Sequence, residues 1–129
     1  MTVDLLRYAT APFAEGARGP HAFDCAGLLA DIYRQRGIIL PPWPTPESDD
    51  EKRHAILAGM RDWERISKPE PWCGIALRVD SPILVSHVGC VLQDARRFIH
   101  TTAETGVVIE RIDSPRWAAR ISGFYRWPR

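Results

Sequence analysis

Lysine is almost missing from this chain. Lys52 and Lys68 are the only two, so arginine supplies nearly all of the 17 basic residues. These meet 16 acidic ones, for a formal net charge of +1. That balance leaves no general electrostatic grip on nucleic acid or on an anionic membrane surface. No run of 18 apolar residues occurs, which excludes a membrane span. Met1-Thr2-Val3-Asp4-Leu5-Leu6-Arg7 lacks the basic start and long apolar core of a signal peptide, so the expectation is synthesis in the cytoplasm with any export by another route. Cysteine is sparse: Cys25, Cys73 and Cys90 form no CxxC pair and no finger-like spacing with histidine. An odd count without an export signal argues for reduced thiols, and no metal or organic cofactor is implied. Repeats and low-complexity linkers are also lacking.

What is present suits one domain over residues 1–129, long enough to bury a core without metal or disulfide staples. The pattern predicts helices first and strands second. Thr2 to Ala9 reads as a short helix capped by Thr2, offering Val3, Leu6 and Tyr8 for burial. Residues 11–22 are Gly- and Pro-rich loop. A second helix follows from Cys25, and a helical insertion is expected over about 46–67, where Ile56, Leu57, Met60, Trp63 and Ile66 keep a 3.6 period. From residue 72 the period falls to two. Strand candidates are Ile75/Leu77/Val79, Ile83-Leu84-Val85 leading into Val88 to Leu92, Phe98-Ile99, Val107 to Ile109 and Ile121 to Trp127. The links between them are short, which favours antiparallel hairpins. Ser114-Pro115 opens a one-turn helix with Pro115 at N1 and Trp117 turned inward. The order is α+β, with N-terminal helices packed on a C-terminal antiparallel sheet. The Arg-rich surface and five tryptophans suit contact with a partner protein. Trp43, Trp72 and Trp127, each beside a proline, are the residues to weigh between that role and the chain's own core.

The chemistry centres on Phe23-Asp24-Cys25-Ala26-Gly27-Leu28-Leu29. Asp24 is a natural N-cap, and Gly37 stands at the helix stop. Cys25 then falls in the first turn, where exposed N–H groups and the helix dipole favour a thiolate. A cysteine at a helix start is more often plain core, so a nucleophile needs a base. His21 lies in a loop and His54 on a helix surface. His87 instead opens the strand Val88-Gly89-Cys90-Val91-Leu92, and His100 closes the next one after Phe98-Ile99. A tight turn between antiparallel neighbours sets these two side by side. With the Cys25 helix across that end, the order is nucleophile, base, orienting group. Cys73 and Cys90 read as packing residues.

Together with Ser86-His87-Val88-Gly89 and Arg97-Phe98-Ile99-His100, the Cys25 stretch resembles the NlpC/P60 cysteine peptidases, papain-like hydrolases of the peptide stems of bacterial peptidoglycan. The resemblance covers nearly the whole chain. It is nearest to the compact branch encoded with phage tails and gene transfer agents, through Pro12-Phe13, Gly16-Ala17-Arg18-Gly19-Pro20, Gly37-Ile38-Ile39-Leu40-Pro41 and Trp117…Arg120-Ile121-Ser122-Gly123-Phe124-Tyr125-Arg126. It implies Cys25 as nucleophile, His87 as base, His100 as the group that orients it, and the Cys25 N–H as an oxyanion donor beside the Asp24 cap. It further implies peptidoglycan stems as substrate, tail-tip or hub proteins as partners, and residence in a phage-like particle. The alternative is a tail-tip subunit whose task is assembly. Three positions depart from the family pattern. Ala26 replaces a serine, Phe13 stands where many relatives have an oxyanion-binding tyrosine, and Cys73-Gly74 replaces Gly-Asp.

Overall fold

The computed structural model of the chain describes residues 2–43, 49–79 and 81–128. The helix of the cysteine stretch, α1, runs Cys25–Gln35. Asp24 caps it by accepting the Gly27 N–H at 2.7 Å. Gly37, at φ 82°, stops it: its N–H donates to Arg34 O at 3.0 Å, and Ile38 N–H reaches back to Tyr33 O at 2.9 Å. This paired closure satisfies the last carbonyls and needs a left-handed residue, which glycine adopts without strain. Leu28, Leu29 and Ile32 are each no more than 1% exposed. Burial of that stripe holds α1 to the sheet, at roughly 1.5–3 kcal/mol for each side chain.

The second helix, α2, spans Asp49–Gly59 and is shorter than the 3.6 period predicted. Residues 46–48 of the expected 46–67 insertion lie outside the described residues. Its far end is not helical. Met60 and Trp63 are buried, but Glu64–Ile66 forms a strand, β1. The apolar positions at 56, 60, 63 and 66 match a helix by coincidence: the helix turns Ile56 inward, the turn after it Met60 and Trp63, and the strand Ile66. Pairing with the last strand of the chain decides the outcome, a contact that no local pattern records. Gly59 ends α2 where the Trp43 ring lies against it, since a Cβ there would come within 2.3 Å of that ring.

The other strands are β2 (Gly74–Leu77), β3 (His87–Val91), β4 (Arg97–Thr102), β5 (Gly106–Arg111) and β6 (Ile121–Arg126). They form one antiparallel sheet in the order β1-β6-β2-β3-β4-β5. A one-turn helix, α3 (Pro115–Ala118), precedes β6, capped by Ser114 with Pro115 at N1 and Trp117 buried, as its sequence predicts.

Every residue of β2 and β3 is buried, because the sheet is covered on both sides. On one side α1 and α2 pack with Val88, Cys90 and Ile99. On the other, Trp117 packs with Ile75, Leu77, Val91 and Phe98. Cys73 and Cys90 are free thiols in these layers, as expected of packing residues. Burial pushes the Cys73 thiol up to about 11 and raises Cys90 further still.

Three local expectations change. The N-terminal helix is a single 3₁₀ turn over Leu5–Tyr8, capped by Asp4 and not by Thr2, because the Asp4 carboxylate takes the Leu6 N–H at 3.0 Å. Tyr8 is fully buried there, but Leu6 is 84% exposed. Ile83 and Leu84 are exposed bend residues, and the strand starts only at His87. Trp43, Trp72 and Trp127 all pack against the chain's own core. Trp127 meets Trp63 edge-on at 5.3 Å, and Trp72 donates its indole N–H to Gln93 at 2.6 Å.

Candidate active site

Cys25 occupies the first turn of α1 and is 5% exposed. The loop before it is drawn tight against that turn. Asp24 N–H donates to Ala17 O at 3.0 Å, and Gly16 N–H donates to the Asp24 carboxylate at 3.1 Å. Arg18 adds an ion pair with the same carboxylate at 2.6 Å and a second bond to Trp43 O at 3.3 Å. Gly27 permits this wrap, because a Cβ there would meet Ala17 O at 2.3 Å. The Gly16-Ala17-Arg18 run is therefore the collar of the cysteine turn. Phe13 stands beside it, bridged in parallel to Phe23 two residues ahead of Cys25.

Asp24 thus has two tasks, one oxygen on the helix N–H and the other on Arg18 and Gly16. Asp24→Ala is expected to lower stability by about 2 kcal/mol, combining a lost cap with a buried carboxylate bond. Asp24→Ser keeps the cap and should recover about half. Urea unfolding of the three proteins checks this, and equal midpoints would show the collar to be irrelevant.

His87 starts β3 and His100 lies inside β4, two residues short of its end rather than closing it. Both are buried, at 4% and 1% exposure. His87 Nε2 and His100 Nδ1 are 2.8 Å apart, with ring centroids 5.0 Å apart and nearly perpendicular. The pair forms because β3 and β4 are in register through Cys90↔Ile99 and Val91↔Phe98, which makes His87 and His100 diagonal neighbours on one sheet face. Gly89 lies between them in β3. A Cβ there would sit 3.1 Å from His100 Cβ and 2.9 Å from Ile99 O, so a larger residue would push the strands or the ring aside. Trp117 and Phe98 fix the His100 ring from two further sides, at centroid distances of 4.8 and 4.9 Å.

Helix α1 packs across β3 and β4, the two strands that bear the imidazoles. Cys25 shares an apolar cluster with Val88, the residue after His87. His21 and His54 are exposed and stand outside this arrangement. One participant went unread in the sequence: Glu110 of β5, whose Oε2 is 3.5 Å from His100 Nε2. The pairing Phe98↔Glu110 puts it on the same face as His100. Counting forward by twos from Gly106 of the Glu104-Thr105-Gly106 turn reaches Val108 and then Glu110 on the face of His100.

Beside the start of β3, a cleft of about 360 Å³ is lined by Arg78, Val79, Ser81, Pro82, Ala119 and Arg120. Arg78 follows Leu77, the strand partner of His87, and is held by the carbonyls of Ile121 at 3.1 Å and Ala119 at 3.4 Å. Among the described residues, no group of three or more His, Cys, Asp or Glu could hold a metal ion. None of the helices there is long and apolar enough to cross a membrane.

The NlpC/P60 family model matches residues 10–126, which takes in the collar, the cysteine turn and both histidines. The chain belongs to the NlpC/P60 family. Members of that family are generally cysteine peptidases or amidases that act on peptidoglycan. Solved NlpC/P60 structures share the fold. A Bacillus cereus ATCC 10987 family protein is 22% identical with a TM-score of 0.67, over 90% of this chain and 35% of its own. NlpC2 from Trichomonas vaginalis is 22% identical with a TM-score of 0.69, over 95% of this chain and 43% of its own. A Staphylococcus aureus Mu50 protein, described as similar to a lipoprotein of the NLP/P60 family, is 23% identical with a TM-score of 0.63, over 95% and 38%. The chain therefore spans less than half the length of each of these proteins. No curated protein matches it.

Proposed function

We propose that the chain is a cysteine peptidase that hydrolyses the peptide stems of peptidoglycan. The observation that carries this reading is the buried His87–His100 pair, held in a family fold whose cysteine helix packs on the same two strands. In this reading Cys25 Sγ attacks the scissile carbonyl after giving its proton to His87. Because His87 Nε2 is engaged by His100, Nδ1 is the nitrogen that takes the proton and later returns it to the leaving amine. The developing oxyanion is met by the Cys25 N–H at the helix mouth, with Asp24 holding that turn in shape. Phe13 has no hydroxyl to add to the oxyanion contact and supports the turn through its backbone. The acyl-enzyme is then released by water. The arginine-lined cleft suits the carboxylates of an acidic peptide.

The proposed setting is the tail tip of a phage or gene transfer agent, with tail-tip or hub proteins as partners. It is supported by the likeness of residues 12–20, 37–41 and 117–126 to that compact branch. Digestion of purified peptidoglycan, read by mass spectrometry, tests the activity. Wild type should release stem fragments, and Cys25→Ala should release none while particles carrying it still assemble. Equal fragmentation by both proteins, or none by wild type, would leave only the assembly role.

A further inference from the structure

We propose that Glu110 is a positioning residue that sets the tautomers of both histidines, so that the base nitrogen faces the thiol before substrate arrives. The inference deepens the peptidase reading and rests on it for its effect on rate.

The logic follows from which groups can donate. A carboxylate only accepts, so the Glu110 contact at 3.5 Å, at the outer limit of a hydrogen bond, requires the hydrogen of His100 to be on Nε2. A neutral imidazole has one N–H, so His100 Nδ1 is bare. At 2.8 Å from His87 Nε2 it must accept, and His87 must donate. The lone pair of neutral His87 is then on Nδ1. One carboxylate, acting through one ring, thereby orders a second ring.

The relay needs His100 to be neutral. Among the described residues, the charged or titratable groups that face it are Glu110 from β5, His87 from β3 and Arg116 from α3. Burial, with a smaller push from Arg116, holds His100 below the usual histidine range against the upward pull of Glu110. At neutral pH His100 is therefore an uncharged acceptor. When Cys25 transfers its proton, the S–H bond breaks, an N–H bond forms at His87 Nδ1, and the sulfur keeps the electron pair. His87 becomes an imidazolium whose Nε2–H already points at His100, and no bond to Glu110 is made or broken. The negative charge of Glu110, relayed through His100, favours that imidazolium.

Two-bond ¹H–¹⁵N correlation spectra at pH 7.5 test the tautomers, and hydrolysis of soluble muropeptides tests the consequence. In wild type both His87 and His100 should carry their hydrogens on Nε2. Glu110→Ala should populate the Nδ1–H form of His100 and lower kcat on the order of tenfold, with little change in KM. That is milder than losing an orienting group bonded directly to the base. Glu110→Gln keeps an acceptor and should restore the tautomer and most of kcat. In both variants the limb of the pH–rate profile set by His87 should move to lower pH, because the charge favouring its imidazolium is gone. A wild-type His100 protonated on Nδ1, or an Ala variant with unchanged tautomers and pH profile, would overturn the proposal. Correct tautomers in a wild type that cleaves nothing would sink the peptidase reading and leave this inference standing.

Discussion

His87→Ala is expected to lower kcat/KM for muropeptide cleavage by about 10²–10⁴, the usual contribution of a positioned acid–base group. Nothing else described on β3 can replace it, since the rest of the strand is Val88, Gly89, Cys90 and Val91 and carries no second basic side chain. The substitution also leaves His100 Nδ1 buried without its donor, which destabilises the protein by about 1–3 kcal/mol. His87→Gln separates the two effects. Its side-chain amide can still donate toward His100, so stability should largely return, but an amide is no base and the rate should stay low. Steady-state kinetics with thermal unfolding of the three proteins gives the answer. If His87→Gln cleaves within tenfold of wild type, His87 is not the base.

The largest expected loss of stability lies away from the site, at Asp31. This carboxylate is 2% exposed in the middle of α1. It accepts from Tyr8 OH at 2.7 Å, Arg7 Nε at 2.8 Å and Arg34 Nη1 at 2.8 Å. Tyr8 in turn accepts from Gln35 at 2.7 Å, so the whole N-terminal turn hangs from one face of α1. Asp31→Ala is expected to destabilise by about 2–4 kcal/mol. The two arginines are roughly half exposed and can turn to water, so they account for little of that. The main losses are the stranded Tyr8 hydroxyl proton and the space left behind. Asp31→Asn still accepts from Tyr8 and should lose only about 1 kcal/mol. Equal midpoints for Ala and Asn in urea unfolding would show that the Tyr8 bond does not matter.

The parts read correctly from sequence are those whose determinants lie within a few residues of each other. Asp24 and Gly37 bracket α1 through their own side chain and backbone freedom, and Ser114-Pro115 does the same for α3. The His87–His100 pairing was equally legible, because a hairpin with a short turn fixes its own register. Where a distant segment decides, the pattern misleads. Ile66 sits in β1 because Phe124 lies opposite it, and Arg126 reaches both Glu64 and Glu70 across the sequence. Nothing local marks Glu110 on the edge strand β5, since its importance depends on His100, which faces it from the neighbouring strand β4. Asp24 was read as a cap alone. Its bond to Arg18 depends on the collar folding back, which Gly27 allows without announcing it.

The seat of β6 between β1 and β2 has a consequence during synthesis on the ribosome. Strands β2 to β5 meet their hairpin neighbours soon after they emerge. The free side of β2 must wait for residues 121–126, and β1 has no sheet partner until then. A nascent chain stalled at α3 would therefore present one naked strand edge and one orphan strand, both open to pairing with a second molecule.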